Sequence, residues 1–79
     1  MSDLLYITAE DCHLCEHSRT VLDQLGVERR ELNVDSDEAI VLATRGIPLS
    51  FLPVLTDGER VFAYGRFSTK RLAAELGIS

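Results

Sequence analysis

From Asp3 to Ala9 the chain reads DLLYITA, a short apolar run bounded by polar residues, which is the pattern of a buried central strand. Beyond Cys12 the period changes. Leu14, Ser18, Val21, Leu22 and Leu25 recur at steps of three and four residues, the spacing of one helix face, and Gly26 follows as a stop signal. The first helix is therefore expected to open at or beside the cysteines. Val27 to Val34 (VERRELNV) is strand-like but charged in its first half, as suits a sheet edge where charge discourages unwanted pairing.

Asp35, three residues before Glu38, is the expected N-cap of a short second helix through Ala39, Ile40, Leu42 and Ala43, ending near Gly46. Leu52 to Thr56 and Arg60 to Tyr64 are apolar runs separated by Asp57-Gly58, the strongest hairpin signal in the chain. Ser68 or Thr69 can cap a last helix whose apolar stripe is Leu72, Ala73 and Leu76, with Gly77 at its end. The order is βαβαββα. A strand, helix, strand unit makes its two strands parallel, and the closing hairpin adds an antiparallel pair, so an α/β fold with a mixed four-stranded sheet and three helices is expected. Only Gly46 to Phe51, which carries Pro48, is ambiguous.

The chain has 79 residues, enough for one domain near the lower size limit of folding without staples. Residues 1–79 are accordingly read as a single domain, and a monomer is expected. Thirteen acidic residues against eight basic ones give a net charge of -5, and the seven arginines are scattered. That balance makes no nucleic-acid footprint. The apolar runs fall far short of a membrane span, and Met1-Ser2-Asp3 lacks the basic start of a secretory signal. A cytoplasmic location is the expectation, with no membrane partner.

Two cysteines three positions apart, Cys12 and Cys15 in Cys12-His13-Leu14-Cys15, would close a loop too small to constrain the unfolded chain much. Their spacing suits redox or metal chemistry better than stapling. Disulfide exchange needs a thiolate, and unpaired N–H groups with the positive dipole end of a helix N-terminus stabilise one. Cys12, entering the helix, is the expected nucleophile. Cys15, one turn onward on the same side, is the expected resolving thiol. The bland alternative is that both sulfurs simply fill the top of a core.

Pro53 stands near the start of the third strand, a position where a sheet tolerates proline. If that strand runs antiparallel beside the first, its beginning lies next to the end of the first strand and so next to Cys12. Together with the cysteine motif, this predicts a cis Leu52-Pro53 bond.

The CxxC at Cys12 to Cys15, Leu52-Pro53-Val54, the Asp57-Gly58 hairpin and the βαβαββα order resemble glutaredoxin-like members of the thioredoxin superfamily over nearly the whole chain. The CHLC motif itself is similar to that of small bacterial glutaredoxin-like proteins. The resemblance implies sheet order 2-1-3-4, a cis proline facing the nucleophilic cysteine, and substrate backbone pairing at Leu52. It also implies thiol-disulfide exchange with small-molecule or protein disulfides, without a bound organic cofactor. Glutathione or a thioredoxin-reductase-type partner would restore the dithiol.

The departures from that family are specific. Family members commonly carry a lysine shortly before the motif, whereas Ala9-Glu10-Asp11 leads into Cys12 here. The two carboxylates oppose thiolate formation at Cys12. The paired acidic residues of the family's glutathione site, which follow a Gly-Gly, are absent from Tyr64-Gly65-Arg66-Phe67-Ser68-Thr69. Ser68 and Thr69 at a helix start, or Arg66 or Arg45, could still hold a carboxylate.

His13 either modulates the charge on Cys12 as an imidazolium or is a solvated side chain. His17 is expected to be exposed. With the cysteines, the two histidines suggest a soft-metal site, yet four ligands within Cys12 to His17 occupy too little helix to surround an ion, so no metal is expected. Tyr6 and Phe62 are expected to pack. Phe51 and Phe67 are either an apolar rim for a substrate or core. The alternative to an enzyme is a non-catalytic thioredoxin-fold binding module that holds a metal or a protein through Cys12 and Cys15.

Overall fold

A computed structural model describes residues 4–78. Along them run β1 (Leu5–Thr8), α1 (His13–Gln24), β2 (Arg30–Asn33), α2 (Asp37–Thr44), β3 (Val54–Thr56), β4 (Val61–Tyr64) and α3 (Thr69–Leu76). The sheet order is β2-β1-β3-β4, with β1 parallel to β2 and antiparallel to β3, and β3 antiparallel to β4. The fold is thus α/β, with three helices and a mixed four-stranded sheet in the expected order. Asp3, the expected start of the first strand, lies outside the described residues.

Strand periodicity divides the core between the two sheet faces. Tyr6 on β1 and Leu55 on β3 join Val21, Leu22, Val27, Phe67 and Leu72 in a cluster with α1 and α3. Their neighbours Ile7 and Val54 point the other way, into a cluster with Leu32, Ala39, Leu42 and Ile47 built around α2. Charged β2 is an edge strand, as its composition indicates. Its exposed Arg30 pairs with Glu38 of α2, and Glu31 pairs with Arg19 of α1.

Several element ends differ from the sequence pattern. The cap of α2 is Ser36, whose Oγ accepts from Ala39 N at 3.2 Å, and not Asp35. Asn33 Oδ1 accepts from Asp35 N at 2.8 Å and so holds Asp35 in the turn that precedes the helix. The strands are shorter than the apolar runs, because β2 starts at Arg30 rather than Val27, β3 at Val54 and β4 at Val61. The hairpin is longer than a two-residue turn. Thr56 pairs with Val61 across a register irregularity, leaving residues 57–60 as the connection. Within it Thr56 Oγ1 donates to Arg60 O and accepts from Gly58 N, and Gly58 at φ 98° takes a backbone shape that favours glycine. Ser68 caps α3 as expected, its Oγ accepting from Arg71 N at 3.5 Å.

Among the described residues, no helix is long and apolar enough to cross a membrane.

Candidate functional site

Cys12 is the N-cap of α1, in extended conformation, immediately after Asp11 in left-handed conformation at φ 55°. The turn at Asp11 reverses the chain between β1 and α1, and aspartate is among the non-glycine residues that accept such a shape most readily. The sulfur of Cys12 then does what a serine or aspartate oxygen does in other caps. Its Sγ accepts from Cys15 N at 3.1 Å, while its carbonyl accepts from Glu16 N at 3.2 Å.

Cys12 and Cys15 form a disulfide, with Cα atoms 5.2 Å apart. The two sulfur-bearing residues differ in access. Cys15 is buried at 2 % exposure, whereas Cys12 is only half-buried. Any molecule attacking or being attacked from solvent therefore meets Cys12 first. Asp11, His13, Glu10, Glu16 and His17 are all exposed around this turn.

Three buried contacts hold the turn from beneath. Tyr6, fully buried on β1, donates through its Oη to Cys15 O at 2.6 Å. Burial pushes the Tyr6 hydroxyl up to about 12 from its ordinary 10.0, so it remains a donor throughout the neutral range. Ser18, also fully buried, has its Oγ accepting from Phe67 N at 3.4 Å, which ties α1 to the segment entering α3. The Tyr6 and Phe67 rings meet edge to face at 5.8 Å. Phe67 is thus core and not a substrate rim.

The Leu52-Pro53 bond is cis, as expected. Because Ile7 pairs with Val54 in an antiparallel register, Pro53 lies opposite Thr8, at the end of β1 that leads to Cys12. Pro53 is buried and Leu52 half-buried. Gly65 N donates to both Phe51 O (3.0 Å) and Pro53 O (2.9 Å), and Gly65 itself sits at φ 68°. Phe51 is 61 % exposed and packs its ring 5.9 Å from that of Tyr64, itself 59 % exposed. With Leu14 (43 % exposed), they are the large apolar side chains left open at this end of the sheet, whereas Ile40 and Val41 are open on α2.

Arg66 and Ser68, expected near a substrate, line a groove between β4 and α3. Ser68 Oγ is engaged as the α3 cap, and Arg66 is exposed. Arg45 is instead the C-cap residue of α2. Among the described residues, no three His, Cys, Asp or Glu side chains are grouped so as to hold a metal ion.

The sequence pattern missed Tyr6 Oη, Ser18 and Gly65 as supports of the turn. Ser18 had a readable signal: a hydroxyl in the apolar stripe of a helix must find a buried partner. No protein-family model, curated protein or solved structure matches the chain.

Proposed function

We propose that this chain is a thioredoxin-like, glutaredoxin-type thiol-disulfide oxidoreductase whose redox centre is Cys12 and Cys15. The observation that carries the reading is the placement of the more accessible cysteine at a helix N-cap, where its sulfur already accepts a backbone N–H from Cys15. The same N–H and the dipole of α1 favour a thiolate at Cys12 once the pair is reduced. The cis Leu52-Pro53 bond at the adjacent strand end agrees with the resemblance.

In the reaction, the Cys12 thiolate attacks one sulfur of a substrate disulfide, forms a mixed disulfide and expels the other substrate sulfur as a thiolate. Cys15 loses its proton to solvent, attacks Cys12 Sγ and expels the second substrate thiolate. The substrate gains two electrons, and the protein ends as the Cys12–Cys15 disulfide. Two thiols of glutathione or one dithiol of a reductase return it to the reduced form. Leu52 lies where its backbone could pair with the substrate chain, while His13 and Asp11 set the local charge around the nucleophile.

The test is direct. Wild type, with glutathione or a dithiol reductant, should reduce a mixed disulfide or a protein disulfide; Cys12→Ser should abolish turnover, and Cys15→Ser should accumulate a mixed disulfide detectable by intact mass. Absence of turnover with every reductant, together with no trapped adduct in Cys15→Ser, would refute an enzyme and leave a binding module.

A further inference from the structure

The two edges of the sheet are finished differently. On β2, exposed Arg30 and Glu31 are drawn into ion pairs with Glu38 and Arg19, a charged border that resists strand addition. Edge strand β4, Val61–Tyr64, carries no charged residue at all. Beside it runs the groove against α3, with a volume of about 270 Å³ and an apolar wall that includes Val61, Ala63 and Leu72.

Charge along this groove is uneven. Four arginines of the chain, Arg19, Arg29, Arg30 and Arg60, have carboxylate partners. Arg66 and Arg71, both lining the groove, have none among the described residues. The acidic lining residue Glu75 is already engaged by Arg60 at 2.7 Å, and the Arg60 guanidinium also lies 5.1 Å over the Phe62 ring. A chain of net charge -5 thus keeps two unmatched guanidinium groups next to its one uncharged sheet edge.

We infer that β4 and the adjoining groove form a docking site for an extended acidic segment of a partner protein, added as a strand to the β4 edge with its carboxylates on Arg66 and Arg71. Main-chain pairing supplies affinity that is indifferent to sequence, and alternate side chains on one face of the added strand reach the groove. Bidentate pairing with guanidinium groups then selects carboxylates. Nothing in this inference depends on disulfide exchange, so a redox-inactive Cys12→Ser protein should bind equally well.

The test uses the full chain and a fluorescent hexapeptide alternating valine and glutamate, followed by anisotropy, with amide chemical shifts to locate contact. The peptide should bind, weaken with added salt, and perturb β4 and α3 rather than β2. Arg66→Ala with Arg71→Ala should weaken binding at least about tenfold, whereas Arg45→Ala, outside the groove, should not alter it. Both arginines are exposed and lack ion pairs among the described residues, so folding of the variant is expected and circular dichroism checks it. Methylating the peptide nitrogens along one edge should abolish binding, and along the other should leave it intact. The inference is overturned if a valine–lysine peptide binds as well, if the double variant binds normally, if both methylated peptides bind, or if glutarate competes as strongly as the peptide.

Discussion

Replacing Tyr6 by phenylalanine removes one oxygen atom from beneath the redox turn and leaves the ring, with its edge-to-face contact to Phe67, in place. At neutral pH the loss is the bond from Tyr6 Oη to Cys15 O. That carbonyl lies inside α1 and keeps its helical partner, so the variant should be destabilised by only about 1 kcal/mol. Alkaline pH reverses the order. The fold favours the neutral phenol, chiefly because burial disfavours its anion, and holds the pKa at about 12 against an ordinary 10.0. A group whose folded value is raised contributes its full stability below the unfolded value, here pH 10.0, and loses it as pH rises through about 12. The whole loss is about 2–3 kcal/mol, and roughly half of it has occurred by about pH 11.

Tyr6→Phe has no such loss. The two stability curves should therefore cross near about pH 11, with wild type more stable below and the variant more stable above. Urea unfolding of both proteins at a series of pH values from neutral to strongly alkaline measures the difference, because changes at other groups cancel between them. A difference that stays constant across the alkaline range would refute the assignment of Tyr6 as a buried neutral donor.

Ser18→Ala leaves Phe67 N without its buried acceptor and should cost about 1–3 kcal/mol in urea unfolding; a smaller cost would show that the 3.4 Å contact contributes little. Asp57 is held below its ordinary carboxylate value by backbone N–H groups of Arg60 and Glu59. Its contribution is present above that ordinary value and is lost as pH falls through the lower folded one, so the stability gap between wild type and Asp57→Ala should close in acid, below about pH 4. Reduced protein carrying Glu10→Gln and Asp11→Asn should alkylate at Cys12 faster than wild type, by about two- to threefold per charge at low salt and less at high salt. An unchanged rate would show that these exposed carboxylates do not act on the sulfur.

What the sequence made legible was whatever depends on local period. The apolar run through Tyr6 and Ile7 had to be a central strand, since β1 is covered on both faces, and the charged run at Arg30 and Glu31 had to lie at an edge. The helix start at Cys12 was readable because the change of period falls on the motif itself. Other features depended on competition between neighbours. Asp35, Ser36 and Asp37 can all cap a helix, and the choice of Ser36 follows from how Asn33 holds the turn after β2. Leu14 fits the spacing of the α1 stripe yet is exposed, because in the first turn it is the neighbouring Cys15 that takes the buried position in line with Ser18 and Leu22. In α2 the adjacent Ile40 and Val41 look like core, but Ala39 and Leu42 alone take the three-residue step toward the sheet. Arg66 and Arg71 acquire their common setting only when the loop before α3 folds beside β4.

The contacts around the disulfide run largely through main-chain groups. Cys15 N meets Cys12 Sγ, Cys15 O meets Tyr6 Oη, Phe67 N meets Ser18 Oγ, and Gly65 N meets Phe51 O and Pro53 O. The groups that hold this end of the sheet are thus backbone atoms, the buried Tyr6 and Ser18 side chains and the half-buried Cys12. The exposed side chains of Leu14, Phe51, Tyr64 and His13 make no hydrogen bond among the described residues. Burial and hydrogen bonding therefore constrain the geometry of the turn, whereas the side chains that another molecule would touch are released from that constraint. Under the proposed disulfide exchange, the chemistry belongs to the first group and the choice of partner to the second. Substitutions at Leu14 or Phe51 should then change which disulfides are met without disturbing the bond that meets them.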